Sequence, residues 1–227
     1  MIINNLTFPS ANTESSIKRL IEPCYVFPAN GTNGIILYGP YGTGKTTCAK
    51  LLPVGIEVKY SSDMPNIRYE DCMSGNNDVA LINSIHTQIS YATLSGTFHY
   101  IILDEADNLT PVAMRQLKSV MNQTYGASIF NAVFIMTTNH IDRIDPGVVS
   151  RSKCISFQPS NMDVWIPLAR TALTEAGVPN AGSISDKFIR NRIIAKGNNP
   201  REILDNSQDV AYQLNNSAQL RAIAYQP

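Results

Sequence analysis

Gly39-Pro40-Tyr41-Gly42-Thr43-Gly44-Lys45-Thr46 decides how the rest of this chain is read. The stretch has the form G-x-x-x-x-G-K-[ST]. Its glycines let backbone N–H groups curl around phosphate oxygens, and the helix that follows turns its positive end toward them. Lys45 reaches the outer phosphates and the Thr46 hydroxyl suits Mg²⁺. The expected nucleotide contacts are therefore Gly39, Pro40, Tyr41, Gly42, Thr43, Gly44, Lys45, Thr46 and Thr47. A chance match arises in on the order of one chain per hundred of this length. Here the match also has its required context. The apolar run Gly34-Ile-Ile-Leu-Tyr38 reads as a buried strand before the loop, and a helix is expected from Lys45.

Downstream, Ile101-Ile102-Leu103-Asp104-Glu105 ends an apolar strand in two carboxylates. In open α/β sheets that edge is where ligands bind. Asp104 joins Thr46 as an expected holder of the Mg²⁺ water shell, and Glu105 is the expected base that orients and activates water. Thr137-Thr138-Asn139 ends another expected strand, Ala132 to Thr138, so Asn139 emerges at the same edge. Its amide suits either the attacking water or the γ-phosphate. Arg201 follows Asn199-Pro200, a cap and first helical position. A cation there opposes the helix dipole, so it either leans on Glu202 or reaches to the nucleotide.

Periodicity fills in the frame. A short helix is expected around Ser15 to Ile21, a second strand over Ile56 to Tyr60, and an amphipathic helix from Asp78 to Leu94. Thr110-Pro111 opens another helix, and Cys154 to Phe157 is the last short strand. Strands alternating with helices predict a parallel sheet covered on both faces. After Ser160 only helical patterns remain: around Trp165 to Ala176, Asp186 to Lys196 and Pro200 to Leu214. The expected division is an α/β nucleotide-binding domain over 1–159 and a three-helix lid over 160–227.

Composition narrows the partners. The 227 residues are 44% hydrophobic and only 16% charged, with 18 Lys+Arg against 18 Asp+Glu. A neutral chain has no global attraction for polyanions, so contact with DNA must come from a local patch or an assembly. No apolar run nears the roughly 20 residues of a membrane span, and Met1-Ile2-Ile3-Asn4-Asn5 lacks a signal-peptide pattern. The expectation is a cytoplasmic protein with no membrane partner. Cys24, Cys48, Cys72 and Cys154 are too scattered for a zinc site.

With these residues in hand, the chain resembles the AAA+ ATPases, and within them the small ATPase subunits of sliding-clamp loaders. The segment Leu103-Asp-Glu-Ala-Asp-Asn-Leu-Thr110 looks like their Walker B strand end, and Ser150-Arg151 to Phe157 is similar to their Ser-Arg-Cys segment. The resemblance implies a P-loop α/β fold with a helical lid, ATP and Mg²⁺ as ligands, and hydrolysis of ATP. It makes Lys45, Thr46, Asp104 and Glu105 the catalytic core, Asn139 sensor 1 and Arg201 sensor 2. Arg151 becomes an arginine finger acting on ATP held by a neighbouring subunit. That implies a homo- or hetero-oligomer with ATP at its interfaces, acting on DNA or a DNA-bound replication protein. The sequence departs from the family at Tyr41, Ser152 and Met114, and no stretch corresponds to the collar that joins clamp-loader subunits. Helicase loaders and transposition-type ATPases use the same core without a collar. A P-loop kinase fits less well, because Glu105, Asn139 and Arg151 suit attack by water. A nucleotide-gated scaffold with little hydrolysis is the non-enzymatic alternative.

Overall fold

The computed structural model describes residues 3, 6–73, 75–126, 132–197 and 199–226. In chain order the elements are α1 (Ala11–Ile21), β1 (Gly34–Tyr38), α2 (Lys45–Glu57), β2 (Asn66–Asp71), α3 (Val79–Ile89), β3 (His99–Asp104), α4 (Pro111–Gly126), β4 (Ala132–Thr138), α5 (Pro146–Val149) and β5 (Ser152–Ser156). Four helices follow: α6 (Ile166–Glu175), α7 (Asp186–Arg192), α8 (Pro200–Asn216) and α9 (Ala218–Ala224).

The strands form one parallel sheet in the order β2-β3-β4-β1-β5, with helices on both faces. Every residue of β3 and β4 is buried. A strand covered on both sides has no polar face, which is why the two read as apolar runs, Tyr100 to Leu103 and Ala132 to Met136, with polar residues only at their ends. One face of the sheet, carrying Ile36, Ile101, Leu103, Phe134 and Met136, packs with Ile82 and Ile85 of α3 and Leu117 and Val120 of α4. Helix α2 packs on β1, β3 and β4. Because all strands run the same way, Gly39 just beyond β1, Asp104 at the end of β3 and Asn139 just beyond β4 are delivered to one edge.

The expected strand at Ile56 to Tyr60 is not one. Helix α2 continues to Glu57, because Cys48, Ala49, Leu52, Pro53 and Ile56 recur at helical spacing and are buried. The real second strand, Asn66–Asp71, escaped notice because its inward positions are polar. Its residues alternate between half-buried and exposed. The half-buried Arg68 donates to Glu70 Oε1 at 2.7 Å, to Gln88 Oε1 at 3.0 Å and to Ser84 Oγ at 2.7 Å. Ile67 and Tyr69 are exposed instead. Such charge on an edge strand also discourages pairing with stray chains. Helix α3 starts as expected on Asp78, whose carboxylate accepts from the Ala80 and Leu81 N–H groups, but it stops at Ile89.

The chain divides into two compact units: Met1–Leu6, Asn12–Gly39 and Lys45–Phe157 form one, while Thr7–Ala11, Pro40–Gly44 and Gln158–Pro227 form the other. The second has its own core around Trp165, Leu173, Ile189, Ile203 and Leu214. Three helices were expected there, and the described residues form four. The additional α9 is short, capped by Ser217 Oγ accepting from Leu220 N–H, with Ala224 its buried residue. So little apolar surface leaves no periodic signal. Helix α7 also ends earlier than expected, at Arg192, before a separate turn over Ile194–Lys196. Among the described residues no helix is long and apolar enough to cross a membrane.

Gly34, on β1 between β4 and β5, sits where a side chain has no room. A Cβ there would lie 2.2 Å from Ser152 Oγ and 2.8 Å from Met121 Cε. Gly34→Ala should lower the unfolding free energy by about 1–3 kcal/mol through overpacking, read from denaturant melts. Adding Ser152→Gly should recover part of that loss. A single variant as stable as the parent would show that β1 and β5 separate without cost.

Candidate nucleotide site

The site grows from the turn between β1 and α2. Gly44 has φ +89°, and a Cβ at this position would meet nothing within 4 Å. Backbone conformation demands the glycine, and the space above it is open, as a phosphate cradle requires. Thr43 Oγ1 donates to Pro40 O at 2.9 Å and closes the turn, while Tyr41 and Thr47 are exposed. Lys45, the first residue of α2, is buried. Its ammonium donates to Gly39 O and to Asn139 Oδ1, each at 2.8 Å. Burial lowers its pKa to about 8, with Asp104, then Asp107 and Glu105, pulling in the other direction.

Asp104 is a buried carboxylate at the end of β3, and three hydroxyls converge on it. Thr46 Oγ1 donates at 2.8 Å to Oδ1 and lies 3.1 Å from Oδ2. Thr137 Oγ1, from β4, donates to Oδ1 at 2.5 Å. Tyr69 Oη, from β2, donates to Oδ2 at 2.7 Å. Burial first, and then this bond to Asp104, push the Tyr69 phenol well above its ordinary pKa, so it stays a donor.

Glu105 follows in a left-handed conformation, φ 54° and ψ 48°, which costs a non-glycine residue about 1–3 kcal/mol. Its N–H donates to Thr137 Oγ1 at 3.0 Å, and its carboxylate accepts from Asn108 Nδ2 at 3.2 Å. The kink turns the Glu105 side chain away from the strand direction that Asp104 follows. Tyr69 and Thr137 are the contributors that sequence reasoning missed. Thr137 was findable, because it lies in the strand end Thr137-Thr138-Asn139. Tyr69 was not, because its strand was not recognised.

The structure does not bring Arg151 to these residues. Its backbone carbonyl accepts from Gly34 N–H at 3.0 Å, at the start of β1. Its guanidinium donates to Asn122 Oδ1 at 2.5 Å and to Gly147 O at 2.6 Å. Lys45, Thr46 and Asp104 lie at the other end of the strands, and a five-residue parallel strand is about 17 Å long. Arg201 lies in the first turn of α8 and is exposed. Asn199 caps that helix as expected, its Oδ1 accepting from Arg201 N–H at 3.0 Å and Glu202 N–H at 3.1 Å. Within the second compact unit this cap abuts the glycine loop, since a Cβ on Gly42 would come within 2.7 Å of Asn199 Oδ1. Of the cysteines, Cys24 and Cys154 are exposed, while Cys48 and Cys72 are buried. Burial pushes the thiols of this second pair up to about 12.

A glycine loop between a central parallel strand and a helix, with a carboxylate at the end of the next strand but one in the same sheet, defines a P-loop nucleotide-binding protein. Residues 35–160 match the family described as "ATPase family associated with various cellular activities (AAA)". That is over half of the sequence, and the chain belongs to this family. It is 31% identical over 131 residues to Replication factor C small subunit 1 of Pyrobaculum islandicum, covering 55% of this chain and 36% of that protein. It is 31% identical over 140 residues to Replication factor C subunit 3 of Schizosaccharomyces pombe, covering 58% and 37%. The chain thus matches little more than a third of the length of these relatives. In fold it is similar to the Thermotoga maritima RuvB Holliday junction branch migration motor, with a TM-score of 0.62 at 13% identity over 93% of this chain and 63% of that one. A DNA polymerase III gamma subunit-related protein of the same organism gives a TM-score of 0.54 at 15% identity, covering 87% and 57%.

The lowered pKa of Lys45 has a measurable consequence. Phosphate charge beside the ammonium favours its protonated form, so nucleotide binding raises this pKa. Near neutral pH the free protein already holds the proton, and binding takes up little. At a pH about one unit above 8 most of the lysine is neutral, and binding should take up most of a proton. Calorimetric titration with ATP in buffers of different ionisation heat, with divalent metal chelated, reads this directly. Identical heats across buffers at the higher pH would place Lys45 away from the phosphates.

Proposed function

We propose that this protein is a Mg²⁺-dependent ATPase of clamp-loader type, remodelling or loading a DNA-bound replication or recombination component from ATP sites shared between subunits. The observation that carries the reading is the convergence of Lys45, Thr46, Asp104 and Asn139 from α2, β3 and β4 at one sheet edge. The family membership and the resemblance to replication factor C subunits support it.

In this reading residues 1–159 bind the nucleotide and 160–227 form the lid. The loop from Gly39 to Thr47 wraps the phosphates with its N–H groups, and Lys45 neutralises the outer ones. Thr46 and Asp104 would hold Mg²⁺, and a hydroxyl with a carboxylate is the hard oxygen set this ion prefers. When bound, the ion supplies charge neutralisation at the phosphate oxygens. Glu105 takes the proton from the attacking water, with its carboxylate steadied by Asn108 and its backbone turned out of the strand. Asn139 holds Lys45 before nucleotide arrives and is placed to contact the γ-phosphate or the water. Arg201 reads the nucleotide from the lid, a role that the contact between the α8 cap and Gly42 supports.

Arg151 acts on a neighbour's ATP. Its position at the amino end of β5 supports this, because no arginine side chain spans the length of the strand to its own site. Hydrolysis then depends on assembly. The partners in this reading are other loader subunits, of the same or different sequence, and DNA or a DNA-bound replication protein.

Glu105→Gln should bind ATP as the parent does while turnover falls by about 10²–10⁴-fold, the range of a lost general base. Equal turnover would remove Glu105 from the chemistry. Arg151→Ala and Lys45→Ala should each hydrolyse poorly alone, and mixing them should restore part of the activity. In a mixed assembly an intact arginine then faces an intact phosphate loop. No recovery in mixtures shown by native mass spectrometry to contain both chains would overturn the shared site.

A further inference from the structure

The Asp104 carboxylate is gripped from both neighbouring strands, one oxygen each. Strand β3 lies between β2 and β4. Thr137 of β4 holds Oδ1 at 2.5 Å, and Tyr69 of β2 holds Oδ2 at 2.7 Å. Thr46 bonds the same carboxylate, but in the reading above its hydroxyl turns to the metal. Once it does, Tyr69 and Thr137 are the described donors that still fix the plane of the carboxylate. A carboxylate oxygen accepts more than one hydrogen bond, so a donor on Oδ2 leaves capacity for a metal-bound water.

Tyr69 is itself held. It stands on the sheet edge and is 39% exposed, where an unsupported tyrosine would sample several rotamers. Lys50 Nζ sits 4.1 Å from the centre of its ring. Lys50 lies one helical turn beyond Thr46 on the same face of α2. The helix that supplies the metal-facing hydroxyl therefore also supplies the cation that seats the tyrosine. A ring under an ammonium is favoured by about 0.5–1 kcal/mol at an exposed position, enough to bias a side chain among rotamers of similar energy.

We infer that Tyr69 is a positioning residue for the divalent-metal site: with Lys50 behind its ring, it holds Asp104 in the orientation that receives Mg²⁺. The inference rests on the assignment of Thr46 and Asp104 to the metal. It predicts an effect on the metal and not on the nucleotide alone, because Tyr69 touches the carboxylate. A purely structural tyrosine would alter stability and nucleotide affinity whether or not metal is present.

The experiment measures the affinity of a fluorescent, non-hydrolysable ATP analogue in chelator and across a Mg²⁺ titration. Tyr69→Phe keeps the ring and removes the hydroxyl. It should leave affinity in chelator unchanged, while the Mg²⁺ concentration for half-maximal enhancement rises about tenfold, the loss expected for one hydrogen bond to a charged group. Lys50→Gln keeps the hydroxyl but loosens the ring, and should give a smaller rise in the same direction. It also serves if Tyr69→Phe does not fold. An unchanged Mg²⁺ requirement in these variants overturns the inference, as does a loss of affinity that is equal with and without metal. Thr46→Ala and Asp104→Asn separate the two levels of the argument. If both abolish the Mg²⁺ enhancement while Tyr69→Phe does not alter it, the role of Tyr69 falls alone. If neither abolishes it, the metal assignment falls and takes this inference with it.

Discussion

A carboxylate at the end of a strand buried on both faces needs hydrogen-bond partners for its oxygens. Asp104 meets that constraint with three hydroxyls, from Thr46, Tyr69 and Thr137. An unpartnered buried charge costs several kcal/mol, so each hydroxyl has a reason to be held in place, and so does the element carrying it. The start of α2, the edge strand β2 and the end of β4 are tied to one point. Thr137 extends the network, since the oxygen that donates to Asp104 accepts the Glu105 N–H at 3.0 Å. The backbone of the next residue is thereby pinned in a conformation it would not choose.

Two features of this edge work against folding stability. Lys45 is buried deeply enough for its pKa to drop to about 8, and Glu105 sits in left-handed backbone. A fold selected for stability alone would place methionine at the first and glycine or asparagine at the second. Both costs make sense if a polyanion arrives. Phosphate oxygens replace the water that Lys45 has lost, and a turned-out carboxylate faces a reactant instead of following Asp104 along the strand. Sequence motif and energetic cost thus point to the same residues by independent routes.

How much of this was legible beforehand depends on where each residue lies relative to water. Strands β1, β3 and β4 were legible because two-sided burial demands apolar side chains along their interiors. The glycine loop was legible because its backbone tolerates few alternatives. Helix caps at Thr110 and Asn199 were legible from side-chain chemistry. Strand β2 was hidden because Arg68 and Glu70 turn inward and satisfy one another, whereas Ile67 and Tyr69 turn out. The same reversal gave Ile56 to Tyr60 a false strand pattern: Ile56 is core because the helix continues, and Val58 is exposed because it lies beyond the helix end. Missing β2 meant missing Tyr69, so an error in secondary structure became an omission in the site. Helix α9 was hidden for the simpler reason that it buries too little to print a period.

The parallel sheet also decides what one chain does for itself. Parallel strands send every carboxyl end to the same edge, which is why residues as distant as Lys45 and Asn139 meet within 2.8 Å. The same rule sends every amino end to the opposite edge, and Arg151 is fixed there by the pairing of Gly34 with Ser152. Its guanidinium rests on Asn122 and Gly147, both on that side of the sheet. Strand length is set by the core and does not shorten for a long side chain, so bending the fold cannot bring this arginine to its own phosphate loop. An arginine placed in this way serves either the stability of its own edge or the chemistry of another molecule. Its bonds to the Asn122 amide oxygen, the Gly147 carbonyl and the Ser150 hydroxyl are charge-assisted on the arginine side, each worth about 1.5–3 kcal/mol, but none of these acceptors carries the negative charge that a phosphate would bring. The sheet that assembles the lysine, the carboxylates and the asparagine within one chain therefore keeps Arg151 out of that chain's own site.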